Sequence, residues 1–168
     1  MARRVLSPAG DGKAIGMYSA GFEVDAGRLV FVAGQVAVDG AGRVVGEGDF
    51  AAQAAQVYKN LAAVLNEAGC TVRDVVKFTT FLTRHQDFAA FTEFRKTEYR
   101  RLFPDGVYPP NTGVVVPSLV RSELLLEVEA IAVKPAGPAR AGRTRTTRSA
   151  GRKGRSAARP TGARRRSR

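Results

Sequence analysis

Few side chains in this 168-residue chain are equipped for covalent or metal chemistry, and that scarcity is the first constraint on what it can do. Cys70 is the single cysteine and His85 the single histidine. One cysteine allows no intrachain disulfide and no cysteine-based metal site. Cys70 follows the expected end of a helix and reads as a small buried residue, and His85 falls in a polar connection, where exposure is expected. A carboxylate can hold or move a proton, and the carboxylates with the most suggestive spacing are Glu127 and Glu129. Alternation puts both on one face of a strand; by residue type alone, such a pair reads as a solvated face. Tyr18 reads as a half-buried strand residue. Asn111, after Pro109-Pro110, reads as turn chemistry. Gly34 interrupts an apolar run, which suggests a bulge or a close approach to the backbone.

These residues need elements to hold them. Residues 28–38 are rich in β-branched and aromatic side chains and read as a strand. Asp39-Gly40 and Gly42 supply turn chemistry before a short returning strand at 43–45. Asp49 is placed to cap a helix over 50–68, with Ala54, Val57, Leu61 and Leu65 on its apolar stripe. Gln53, Gln56, Lys59, Asn60 and Glu67 lie elsewhere, and Gly69 is the stop. Residues 74–82 read as a strand. Asp87 is expected to cap a second helix ending near Leu102, before Phe103-Pro104. A short strand at 112–116 precedes a connection over 117–122. The last strand alternates Leu124, Leu126, Val128, Ala130 and Ala132 with Leu125, Glu127, Glu129, Ile131 and Val133. The order predicts an α+β domain, one sheet with two helices on one face.

Charge divides the chain in two. Residues 135–168 hold twelve of the 27 Lys and Arg and no acidic residue, leaving 15 basic and 15 acidic residues in 1–134. The front domain is formally neutral and the tail carries the whole +12. With no aromatic residue and no Val, Ile, Leu or Met, the tail cannot offset the entropy of ordering and is expected to be disordered. Its cations, residues 140–168, suit nonspecific contact with a phosphate backbone through counterion release, without stacking on bases. The bland reading is a solvated extension. An apolar face for membrane insertion is lacking. No apolar run reaches the ~18 residues of a membrane span, and no secretory signal is evident, so a cytoplasmic location is expected.

The ordered set of Tyr18-Ser-Ala, Val32-Ala-Gly-Gln35, Gln53, Leu61 through Ala68-Gly69, residues 75–82, Asp87-Phe88 and residues 127–132 resembles the RidA/YjgF (reactive intermediate deaminase) family over roughly residues 14–134. The resemblance implies a chorismate-mutase-like α+β fold, a homotrimer, and small-molecule pockets in the clefts between subunits. It also implies hydrolysis of imines or enamines without a cofactor or a metal. Carried over by position, Glu127 is the catalytic carboxylate that holds water, and Tyr18, Ala33, Gly34, Asn111 and Thr112 are substrate-binding positions. The family's Pro-Ala-Arg-Ser/Thr segment is Pro109-Pro110-Asn111-Thr112 here. Its Ser before the glycine is Ala33, and its small polar or Cys position is Gly113. Asn111 donates hydrogen bonds but brings no charge to a substrate carboxylate. Weak or absent turnover of 2-imino acids is therefore expected, with a neutral or cationic ligand or a carboxylate anchor from elsewhere, Arg121 being the nearest basic candidate. The alternative is a trimeric scaffold whose basic tails bind nucleic acid nonspecifically.

Overall fold

A computed structural model describes residues 3–6, 16–25 and 27–135. The expected disorder of the tail, and nearly all of the 135–168 segment, lie outside these residues.

The described elements are β1 (Arg3–Leu6), β2 (Gly21–Val24), β3 (Arg28–Val36), α1 (Phe50–Glu67), a 3-10 turn (Val72–Asp74), β4 (Val75–Leu82), α2 (Asp87–Leu102), β5 (Asn111–Val115) and β6 (Leu126–Lys134). Four strands form a mixed sheet in the order β3-β6-β4-β5, parallel only between β4 and β5. Both helices lie on one of its faces. Phe78 of β4 is fully buried and packs its ring 5.9 Å from Tyr58 of α1 and 6.3 Å from Tyr99 of α2. The α+β class and the one-sided helical layer are therefore as expected. The sequence reading missed β1 and β2, which pair antiparallel as a separate ribbon. At four residues each, they are too short for alternation to register.

Helix α1 forms where its signals stand. The Asp49 carboxylate accepts a hydrogen bond from the Ala52 amide at 3.0 Å, and Ala54, Val57, Leu61 and Leu65 are fully buried. Gly69 takes φ 70°, a left-handed conformation that ends the helix at little cost to glycine. Two expectations need correction. The returning strand at 43–45 reduces to one bridge between Val38 and Val44. Asp39 accepts from the Ala41 and Arg43 amides at 2.9 and 3.0 Å, so its side chain binds amides a longer ladder would use. Asp87 does not cap α2. It is the first helical residue, and both its oxygens are held by Arg84 at 2.8 and 2.9 Å.

In β6, Leu126, Val128, Ala130 and Ala132 face the helices and are buried, while Glu127, Glu129 and Ile131 are half-buried on the other face. Val133 is buried too, because the backbone at Gly27 covers it: a Cβ there would lie 2.6 Å from its Cγ1. Gln53, read as lying off the apolar stripe, is fully buried. Its amide donates to the Glu123 carbonyl at 2.7 Å and accepts from the Leu125 amide at 2.8 Å. This clamp holds the entry to β6, two residues before Glu127.

Candidate functional site

The site begins at a flaw in β3. The register with β6 breaks between Val32 and Gln35, leaving Ala33 and Gly34 as a bulge outside the ladder. Gln35 Nε2 donates to the Ala33 carbonyl at 3.1 Å. A Cβ built on Gly34 would lie 1.7 Å from Glu127 Oε1 and 2.5 Å from its Cδ. Any side chain here would displace the Glu127 carboxylate, so the glycine is what lets that carboxylate lie against the bulge. Burial pushes the Glu127 carboxyl above the usual carboxylate range, and the charge of Glu129 adds to the shift. A carboxyl group with that bias exchanges a proton closer to neutral pH than a free glutamate does.

Glu127 occupies the sheet face turned away from the helices. Across the strands it stands beside Phe81, which in turn pairs with Val114. The next row is Glu129, Thr79 and Thr112, and the row beyond is Phe31, Ile131 and Lys77. Lys77 donates to the Thr112 hydroxyl, and burial lowers its pKa. An open hollow of about 380 Å³ runs along this face, lined by Phe31, Ala33, Lys77, Thr79, Glu129 and Ile131 among others. Phe31 is 69% exposed and Leu29 55% in the single chain.

Asn111 points the other way. It pairs with Phe78, whose ring is in the core, and its Oδ1 accepts a hydrogen bond from the Thr80 hydroxyl at 3.1 Å. A second hollow of about 300 Å³ opens here between β5, α2 and the segment around Tyr18, with Tyr18, Phe88, Phe91, Arg95, Asn111 and Gly113 in its wall. A Cβ on Gly113 would come within 3.1 Å of Phe88, so the glycine keeps this hollow open. The six positions singled out in the sequence thus fall into two groups within one chain. Ala33, Gly34, Thr112 and Glu127 belong to the open sheet face, and Tyr18 and Asn111 to the helix-side hollow.

Arg95 was missed by the sequence reading. It follows Phe91 and precedes Tyr99 by four residues each, which places a cation on the buried stripe of α2. That misplaced charge was the available signal. Arg121, the basic residue considered instead, fastens a turn by donating to the Gly42 carbonyl at 2.8 Å and lies 3.6 Å from Glu123. Among the described residues there is no His, Cys, Asp and Glu cluster able to hold a metal ion, and no helix is long and apolar enough to cross a membrane.

Residues 10–134 match the sequence model of the Endoribonuclease L-PSP family. The chain is 41% identical over 133 residues to protein DfrA of Myxococcus xanthus, covering 79% of this chain and 97% of that protein. It is 35% identical over 132 residues to the 2-iminobutanoate/2-iminopropanoate deaminase of Mus musculus, covering 79% and 92%. Among solved structures it matches a Rid-family protein of unknown function from Yersinia pestis with TM-score 0.70 and 34% identity, over 79% of this chain and 99% of that one. Escherichia coli TdcF, solved with bound serine, matches with TM-score 0.58 and 33% identity over the same shares. A family match over most of the chain, with close relatives along nearly their full length, leads to one conclusion: the chain belongs to the Endoribonuclease L-PSP family, that of the RidA/YjgF proteins.

Proposed function

We propose that the chain is a deaminase-like small-molecule pocket protein that hydrolyses an imine or enamine without a cofactor, and that it is a poor catalyst for 2-imino acids. The observation that carries this reading is the Glu127 carboxylate seated against Gly34, with its pKa raised by burial. Water held by Glu127 adds to the imine carbon, and Glu127 takes its proton. That proton passes to nitrogen to give a carbinolamine, whose hydroxyl proton follows to nitrogen as the C–N bond breaks, so ammonia leaves with a carbonyl product; an enamine first takes a proton at carbon to become the imine. Relatives named as 2-iminobutanoate/2-iminopropanoate deaminases support the reaction class. Ammonia release should be followed with chelator-treated protein on imines and enamines with and without a carboxylate. At least one is hydrolysed faster than in buffer, and Glu127→Gln lowers that rate about a hundredfold or more. No acceleration across the panel, or full activity in Glu127→Gln, overturns the proposal. The rate rises with pH as Glu127 loses its proton, at a pH above that of an ordinary glutamate. The same shift destabilises the fold once Glu127 ionises, so Glu127→Gln is at least as stable as wild type at pH 7, and that advantage disappears below the unfolded-state pKa.

The proposal includes a homotrimer with the ligand in clefts between subunits, in a cytoplasmic setting. Two observations support it. Leu29 and Phe31 leave apolar surface uncovered on the sheet face, and the two groups of site residues lie on opposite faces of the sheet in one chain, so that only another copy could bring the one group to the other. Light scattering of a chain ending at Lys134 gives a three-chain mass; a monomer at micromolar concentration removes both the trimer and its cleft.

A second reading rests on charge. The +12 held in residues 135–168, beside a neutral domain, favours a trimeric scaffold whose tails contact nucleic acid without sequence preference.

A further inference from the structure

Among the described residues, the charge in the helix-side hollow has no opposite charge paired with it. Arg95 is 8% exposed. Its guanidinium carbon lies 4.5 Å from the centroid of the Phe91 ring and 5.9 Å from that of Tyr99. Its Nε is buried with no hydrogen-bond partner, and among the described residues no carboxylate stands within salt-bridge distance of it. Aromatic faces attract a cation, but they cannot accept its N–H hydrogen bonds in the guanidinium plane. Removing one partner of a buried charge is costly, so a buried guanidinium left open on one side is a site short of its anion. The open side is the hollow. A Cβ on Gly16, across it, would lie 3.7 Å from Arg95 Nη2. The Asn111 amide lines the same space, and Tyr18, Phe88 and Phe91 supply apolar and aromatic wall.

We infer that this hollow binds a carboxylate carrying a flat apolar body, with Arg95 as its anion anchor and Asn111 as a neutral second contact. The inference rests on the small-molecule pocket reading and adds its ligand class. A guanidinium takes a carboxylate through two parallel hydrogen bonds, and that geometry is open to Arg95 because no chain carboxylate claims it among the described residues. The volume of about 300 Å³ admits a single aromatic ring with a carboxylate. Because the cation comes from α2 rather than from position 111 on β5, the acid is held beside Phe91, displaced from where a strand-borne arginine would hold it.

The test is calorimetric titration of full-length protein with benzoate and with benzamide, which differ in charge but scarcely in shape. Neither ligand can be hydrolysed as an imine, so the outcome is independent of turnover by Glu127. Wild type binds benzoate about ten- to a hundredfold more tightly than Arg95→Met does, whereas benzamide binds both proteins alike. Arg95→Met melts no lower than wild type, since it removes a buried charge that no described carboxylate pairs. Arg95→Lys keeps the charge and retains a preference for benzoate over benzamide, which guards against a folding defect in the Met variant. Equal benzoate affinity in wild type and Arg95→Met, or no benzoate binding to wild type at millimolar concentration, overturns the inference. A marked fall in melting temperature with unchanged benzoate affinity would show Arg95 to be a structural cation.

Discussion

Full-length protein is expected to bind duplex DNA, and a chain ending at Lys134 is expected not to. The domain kept by the truncation is formally neutral, and the twelve cations it loses face no acidic residue within the tail. Engagement of half of them with phosphates sets the slope of log K against log salt at about −5, so affinity falls about a thousandfold between 50 and 200 mM salt. In the proposed trimer, three tails on one duplex would release more counterions and steepen the dependence. Two unrelated duplexes are expected to bind equally, because contacts to phosphates carry no sequence information. The truncated chain keeps its melting temperature, since the tail has no large apolar side chain to place in a core. Equal DNA binding by the two chains, or clear discrimination between the duplexes, removes the tail from any role in nucleic-acid contact.

Local signals made α1 and β6 readable. Asp49 and Gly69 mark the ends of α1, and alternation along β6 sets which residues face the helices, because both effects act within a few positions. Asp87 misled because a carboxylate before an apolar run has two possible partners. Arg84, three residues earlier, won over the helix amides. Val133 was assigned outward by period alone, and the backbone at Gly27, remote in sequence, covers it. Gln53 and Arg95 were harder still. Each is a polar residue on a buried helix face, and only tertiary contact separates a clamp such as Gln53 from an open charge such as Arg95. Of the site itself, the glycine in the β3 run pointed to the bulge. That Glu127 fills the space over that glycine, and that Asn111 faces the helices, depend on register, which a single strand does not encode.

The reading of Asn111 as standing where the family carries an arginine is tested most directly by the hydrolysis of iminopropanoate. A two-point guanidinium–carboxylate contact involves two hydrogen bonds to charged groups, each worth roughly 1.5–3 kcal/mol. Asn111 supplies no charge, and its Oδ1 already accepts from Thr80. Arg95 is not expected to take the place of such an arginine for so short an acid. It lies on α2, over Phe91, and a carboxylate drawn there displaces a three-carbon imine from the position that an anchor on β5 would give it; misplacement of about an ångström is enough to cost a hundredfold. The imine should be generated in place and its decay followed by trapping, with this chain and an arginine-bearing relative at equal concentration. Wild-type kcat/KM falls about a hundredfold or more below that of the relative, and recovery in Asn111→Arg shows Gly34 and Glu127 to be competent. A wild-type rate equal to that of the relative contradicts the reading of position 111.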